Sequence, residues 1–338
     1  MPLNHRILLA SRPTGAATAA NFRLDVLETP PLAEGEVLVR HEWLSLDPYM
    51  RRRMDAGRSY SPPQPLGQVM VGGTAGVVVA SRHSDYREGE AVVGYGGWQE
   101  YSVFRGDAPG RTRKVDTSRV PLSHYLGAAG MPGVTAWVGL VHLIEAKAGE
   151  TIVVSAASGA VGSAVGALAK ARECRVVGIA GGPDKCAYVV DELGYDACVD
   201  YKEHAGLDAL ARALQAACPA GIDGIFENVG GTVLDAALLG TNDFARVAVC
   251  GMIAGYDGTA VPLRGAMLIL ARRLRLQGFI QSEFPQCTAP ARAELAELVG
   301  SGRLRPRESV AHGLASAPEA FLGMLQGRNF GKQLVKLT

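Results

Sequence analysis

Six residues, Ala157-Ser158-Gly159-Ala160-Val161-Gly162, stand between an apolar β-prone run, Thr151–Ser155, and a small-residue helical run that starts near Ala160. A pyrophosphate placed at such a strand–turn–helix junction meets free backbone N–H groups and the positive end of a helix dipole. Gly159 lets the backbone approach the phosphates, and Gly162 lets the helix pack close to the sheet. The pattern is AxxGxxG and lacks the first glycine of GxGxxG, so its force comes from context more than from spacing. Dinucleotide binding is the chemistry it predicts.

The next strand end chooses the nucleotide. A site for NAD carries an acid about 20 residues beyond the glycines to hold the ribose 2′-hydroxyl. Here that place reads Gly181-Gly182-Pro183-Asp184-Lys185. The glycines leave room and Lys185 brings a positive charge, which suits a 2′-phosphate and hence NADPH. Asp184 is read as a helix N-cap rather than a ribose ligand. Two more strand ends, Glu227-Asn228-Val229-Gly230-Gly231 and Cys250-Gly251-Met252-Ile253-Ala254-Gly255-Tyr256, fall on the same carboxyl edge. Asn228 is thereby placed near the cofactor, and the glycines of the second run would let Tyr256 reach into the cleft.

Positioning these residues requires a parallel sheet, and the order of elements predicts one. Strands are expected at Thr151–Ser155, Arg175–Ala180, Cys198–Asp200, Gly224–Phe226, Arg246–Gly251 and Leu274–Ile280. Helices are expected between them at Ala160–Ala171, Asp184–Leu193, Gly206–Ala217 and Thr232–Leu239, with another at Ala289–Gly300. Such βαβα alternation implies a doubly wound sheet covered on both faces. The first third reads differently. Ile7–Ala10, Glu36–Glu42, Gly76–Ala80, Glu90–Val93 and Tyr101–Phe104 are short β-prone runs parted by Gly, Pro and Asp, with no useful helical period before about residue 120. Ser123–Gly130 and Gly133–Ile144 are expected as helices, broken at Met131-Pro132-Gly133. The end of the chain reads as a helix at Pro318–Gln326 and a strand at Lys332–Leu337.

With 338 residues the chain is long enough for two domains, and a formal charge of +1 gives no reason to expect nucleic acid as a partner. No apolar run approaches the length of a membrane span, and the first residues carry no secretory pattern, so a cytoplasmic protein is expected. The six cysteines are scattered singly, without CxxC, which predicts neither a disulfide framework nor a zinc knot. Seven histidines form no HxH or HExxH spacing, and no Gly-x-Ser-x-Gly elbow occurs.

The chain resembles the medium-chain dehydrogenase/reductases, and within them the zinc-free leukotriene/prostaglandin reductase group with its bacterial curcumin-reducing members. The likeness rests on Leu44-Ser45-Leu46-Asp47-Pro48-Tyr49-Met50-Arg51, Ser59-Tyr60-Ser61-Pro62-Pro63, Met70-Val71-Gly72-Gly73-Thr74, Gly130-Met131-Pro132-Gly133-Val134-Thr135-Ala136, Glu227-Asn228-Val229-Gly230-Gly231, Arg273-Leu274-Arg275-Leu276-Gln277-Gly278-Phe279 and Asn329-Phe330-Gly331-Lys332. It implies an α/β chain with a GroES-like, partly open β-barrel catalytic domain at 1–125, completed by 301–338, around a Rossmann NADPH-binding domain at 126–300. It also implies that Gly159, Ala160, Val161 and Gly162 hold the pyrophosphate, and Lys185 and Tyr201 the 2′-phosphate. Asn228, Cys250, Gly251, Ile253, Tyr256, Phe279, Ile280, Gln281 and Asn329 would line the ribose and nicotinamide. Zinc alcohol dehydrogenases of the wider superfamily carry an early Cys and a Gly-His-Glu segment. Here Ser45-Leu46-Asp47 and Gly67-Gln68-Val69 stand in those regions and no cysteine precedes Cys174, so no metal is expected.

The reaction implied is reduction of the carbon–carbon double bond of an α,β-unsaturated ketone or aldehyde, with hydride to the β-carbon and a proton to the α-carbon. Charge then develops on the carbonyl oxygen, and without zinc a hydroxyl or backbone N–H must stabilise it. Tyr256 is the first candidate and Tyr60 the second, with Tyr49 and Tyr60 also expected to touch substrate. Quinone reduction with NADPH is an alternative, and NADPH binding without turnover a third. Members of the group have Asn after the tyrosine and a longer, proline-rich loop, whereas this chain reads Asp257-Gly258-Thr259-Ala260-Val261-Pro262-Leu263, which leaves the preferred substrate open. Relatives of this kind commonly form homodimers, so a homodimer is expected.

Overall fold

Short β-prone runs separated by Gly, Pro and Asp fold as seven strands before residue 115 in the computed structural model, which describes residues 2–108 and 112–337. They are β1 (Leu3–Leu9), β2 (Phe22–Glu28), β3 (Glu36–Ser45), β4 (Thr74–Ser81), β5 (Ala91–Gly94), β6 (Tyr101–Arg105) and β7 (Thr112–Lys114). The long β3 is the hub, pairing antiparallel with β4 and β6. It also receives the tail strand Lys332–Lys336, with Leu334 opposite Ser45 and Val335 opposite Leu44, and Glu308–His312 lies parallel outside that strand. Residues 308–338 therefore return to the first 126 and form one unit with them. Leu44, Leu46, Met50, Trp98, Phe321 and Val335 fill its core. Trp98 is stacked on Phe22 at 5.3 Å and meets Phe321 edge-on.

The second unit, Gly127–Arg307, holds β8 (Thr151–Ser155), β9 (Arg175–Ala180), β10 (Ala197–Asp200), β11 (Ile222–Glu227), β12 (Thr241–Val249) and β13 (Arg275–Gly278). Every neighbouring pair is parallel and the order is β10-β9-β8-β11-β12-β13. This is the doubly wound Rossmann order, whose reversal between β8 and β11 opens a crevice at their carboxyl ends. β8 is buried along its whole length, as expected of a strand covered on both faces. The chain is thus α/β, with a barrel-like, largely antiparallel unit and a Rossmann unit.

Several local expectations need correction. β2, β7 and Glu308–His312 were not expected as strands: β2 turns Leu24, Val26 and Leu27 outward together with charged residues, so no clean alternation marks it. A one-turn helix, α1 (Tyr49–Arg53), precedes residue 120. Met131-Pro132-Gly133 begins a helix, α2 (Met131–Trp137), instead of breaking one, because Pro in the first turn has a preset φ and needs no intrahelical acceptor. Ser123–Gly130 is correspondingly not a helix; a 3-10 turn covers Leu122–Leu126. Beyond α2 the winding changes to π over Val138–Ile144. The helix expected from Ala289 starts at Pro285 and runs to Gly300, with Pro290 inside it.

Candidate active site

The phosphate turn is built by backbone alone. Ala156 takes a left-handed φ of 49°, and α3 (Ala160–Lys170) begins with Gly159 as its cap. A Cβ on Gly162 would lie 2.5 Å from the Ala156 carbonyl oxygen and 2.6 Å from that of Ala157, so any side chain there would lift α3 off the turn. The leading N–H groups of Ala160, Val161 and Gly162 take no acceptor from their own helix. A Cβ on Gly159 meets only the Ala156 oxygen, at 3.2 Å, and the rest of its approach is open. These observations fit a pyrophosphate.

At the next strand end, Gly181 explains the missing acid. A Cβ there would sit 2.8 Å from the Tyr201 ring and 2.9 Å from its hydroxyl, so this position admits no side chain while Tyr201 covers it. Asp200, an acid close by, is committed to the backbone N–H groups of Gly182 and Lys202, each at 2.9 Å. The expectation for Asp184 is corrected: α4 (Pro183–Asp191) has Gly182 as its cap, and Asp184 lies within the first turn. Lys185 is half-buried, and burial together with the charge of Lys202 lowers its ammonium pKa. That second cation had no sequence signal, because it is brought beside Lys185 only by the pairing of β10 with β9.

A buried polar hub supports the carboxyl edge of β8 and β11. Glu227 is wholly buried, and one carboxylate oxygen accepts from the Ser155 hydroxyl at 2.9 Å, from Gly230 N at 2.7 Å and from Val229 N. Ser155 Oγ in turn accepts from Asn228 N, and the Asn228 amide donates to the Ser155 carbonyl, both at 2.7 Å. That donation fixes the Asn228 side chain. The Cys250–Tyr256 turn is laced to the same segment through Cys250 N and Gly251 N to the Glu227 carbonyl and Ala254 N to that of Val229. A Cβ on Gly251 would lie 3.3 Å from the Tyr256 hydroxyl and 3.4 Å from the Asn228 carbonyl oxygen, so the glycine lets these groups gather. Ile253 caps the same arrangement by donating to the Asn228 carbonyl at 3.3 Å. Cys250 is half-buried, and its thiol is pushed up to about 12 by desolvation and by Glu227. The shortened loop folds back: Val261 would meet a Cβ on Gly255 at 2.6 Å, and Asp235 accepts from Arg264 N and Gly265 N.

Glu227 also yields a pH prediction. Burial raises its carboxyl above the ordinary value, against the pull of the amide and hydroxyl donors. The folded state therefore favours the neutral acid, and this contribution is complete below the unfolded value of about 4.3. It is lost as pH rises through the folded value, at up to about 1.4 kcal/mol per pH unit between the two. Glu227→Gln lacks that slope. The stability of the parent relative to this variant, measured by urea unfolding, is expected to fall as pH rises from about 4 to 8; a constant difference would exclude it.

The remaining expected residues are placed separately. Phe279 is buried edge-on to Phe226, with ring centroids 6.2 Å apart, so its side chain belongs to the core and only its backbone can serve a ligand. Ile280 and Gln281 follow it and are half-buried. Tyr49, Tyr60 and Asn329 lie in the first unit. Burial, then Asp47 and the nearby Tyr95, raise the Tyr49 phenol well above its usual pKa, which makes it a poor acid. Tyr60, close enough to contribute to the same shift, is 54% exposed. The Asn329 amide donates to the Gly331 carbonyl at 2.8 Å. Lys332 proves to be half of a buried ion pair, 2.8 Å from Asp47. Among the described residues, no three His, Cys, Asp or Glu side chains gather in a way that could hold a metal ion.

The chain matches the family model described as N-terminal domain of oxidoreductase over residues 5–111, and that described as Zinc-binding dehydrogenase over 160–297. The NADPH-dependent curcumin reductase of Escherichia coli (strain K12) is 45% identical over 99% of this chain and 97% of its own. Prostaglandin reductase 1 of Mus musculus is 38% identical over 95% of each. The chain belongs to the medium-chain dehydrogenase/reductase family, in its leukotriene/prostaglandin reductase group. It is an oxidoreductase. The crystal structure of CurA from Vibrio vulnificus in complex with NADPH shares 42% identity and superimposes with a TM-score of 0.91, covering 99% of both chains.

Proposed function

We propose that the chain reduces the carbon–carbon double bond of α,β-unsaturated ketones and aldehydes with NADPH. The observation that carries this reading is the gathering of the Tyr256 hydroxyl with Gly251 and Asn228 on the carboxyl edge that also bears the Gly159–Gly162 turn. Relatives that reduce curcumin and prostaglandins support it. Gly159, Ala160, Val161 and Gly162 would hold the pyrophosphate, and Lys185 and Tyr201 the 2′-phosphate. Asn228, the Cys250–Tyr256 turn, the backbone of Phe279–Gln281 and Asn329 would face the ribose and nicotinamide. When bound, NADPH supplies hydride for the β-carbon of the substrate. Tyr256 donates a hydrogen bond to the carbonyl oxygen as charge develops there. Tyr49 and Tyr60 would contact the substrate. A homodimer in the cytosol completes the proposal.

Loss of NADPH absorbance with a panel of enones and quinones tests it: turnover of enones is expected, and tight NADPH binding without oxidation by any acceptor removes the claim. Tyr256→Phe is expected to lower kcat by about tenfold or more and to alter the solvent isotope effect, with the KM for NADPH nearly unchanged. If turnover and isotope effect both stay the same, Tyr256 is only a wall.

A further inference from the structure

Cys186 on α4 and Cys198 on β10 bring their sulfur atoms to 3.0 Å. A disulfide would shorten that separation to about 2.05 Å, so roughly 1 Å of movement closes it. Both residues are half-buried rather than sealed in the core, in contrast to Cys174, Cys218 and Cys287. Their place in the unit is the second observation. Cys186 directly follows Lys185, and Cys198 comes three residues before Tyr201. The turn between them is tied by Cys186 N to the Gly182 carbonyl and by Gly182 N to Asp200, so helix start and strand end move as neighbours.

We propose that Cys186 and Cys198 form an oxidisable dithiol, a site at which hydroperoxides convert two thiols to a disulfide and weaken NADPH binding at the adjacent 2′-phosphate end. One sulfur attacks the hydroperoxide, the O–O bond breaks, and an alcohol leaves with the formation of a sulfenic acid. The second sulfur displaces that oxygen as water, and the S–S bond forms. Two electrons pass from the sulfurs to the peroxide, and the two thiol protons end on the alcohol and the water. Burial holds both thiols above the usual cysteine value, so the first attack is slow and the oxidation calls for excess hydroperoxide. Proximity of the second thiol is what directs the product to the disulfide instead of to higher oxides. Closing the bond draws the first turn of α4 toward the end of β10 and shifts Lys185 relative to Tyr201. The effect on NADPH rests on the assignment of these two residues to the 2′-phosphate; the chemistry of the sulfurs does not.

The test treats the full chain with tert-butyl hydroperoxide and maps peptides without reduction. A Cys186–Cys198 link is expected, with two of the six thiols lost from titration in denaturant and regained with dithiothreitol. Cys186→Ser and Cys198→Ser should each abolish that loss in a folded protein. The oxidised chain should bind NADPH about three- to tenfold more weakly by cofactor fluorescence, in keeping with the cost of displacing a positioned group by about 1 Å. Retention of all six thiols, or oxidation of either cysteine to a sulfinic acid without a link, overturns the site. A link that leaves NADPH affinity unchanged overturns its effect on the cofactor. Mapping requires no cofactor, so failure of the 2′-phosphate assignment shows independently, as NADPH affinity that does not respond to Lys185→Ala.

Discussion

Replacing Lys332 with Met is expected to lower the free energy of unfolding by about 3–5 kcal/mol, read from the urea midpoint. The Lys332 ammonium donates to Asp47 at 2.8 Å and to the Leu46 carbonyl at 2.6 Å, and the two side chains are only 3% and 8% exposed. Ser45 donates to the other oxygen of Asp47, so the carboxylate is fully engaged while the lysine is present. Removing the cation leaves a charge in the core with one hydroxyl for company. The energy comes from that orphaned charge more than from the pair itself, because the attraction of a buried pair is largely offset by its desolvation. Asp47→Asn combined with Lys332→Met should consequently cost less than the sum of the single changes, a coupling that a double-mutant cycle measures. A loss below about 1 kcal/mol for Lys332→Met alone would mean that water reaches the pair and that the tail is held by its strand hydrogen bonds.

That pair shows where sequence reading stops. Nothing in Asn329-Phe330-Gly331-Lys332 announces an ion pair, because the partner of Lys332 is 285 residues away and the two meet only when the tail strand docks on β3. Ser155 and Glu227 are 72 residues apart and touch only because β8 and β11 are neighbours at the switch point. Lys202 came to Lys185 in the same way. By contrast, the doubly wound parallel sheet was legible, since short β-prone runs alternate with helical runs and the turns are punctuated by glycine. The carboxyl-edge positions of Asn228 and Tyr256 followed from strand ends alone. The position of Phe279 beyond β13 says nothing of which way its ring turns, and packing against Phe226 decides that. Local pattern thus reports elements and their ends, while ion pairs and hubs depend on which elements become neighbours.

Lys185→Ala is expected to raise the KM for NADPH by about 10- to 100-fold while changing that for NADH little, since a hydrogen bond to a charged group contributes roughly 1.5–3 kcal/mol. The structure supplies a reason for the upper part of that range. Lys185 is half-buried and sits near Lys202, and both circumstances lower its pKa. A 2′-phosphate, with nearly two negative charges at neutral pH, relieves the desolvation and the repulsion together. NADH has only a hydroxyl there and relieves neither. Gly181, which admits no side chain beneath Tyr201, also leaves NADH without the acid that would hold its ribose. Lys202→Ala should act in the same direction with a smaller effect, because that side chain is more exposed and its charge better screened. Steady-state kinetics with both cofactors decides the matter: equal changes for NADPH and NADH would remove Lys185 from the 2′-phosphate site, whereas a change confined to NADPH ties cofactor choice to this one cation.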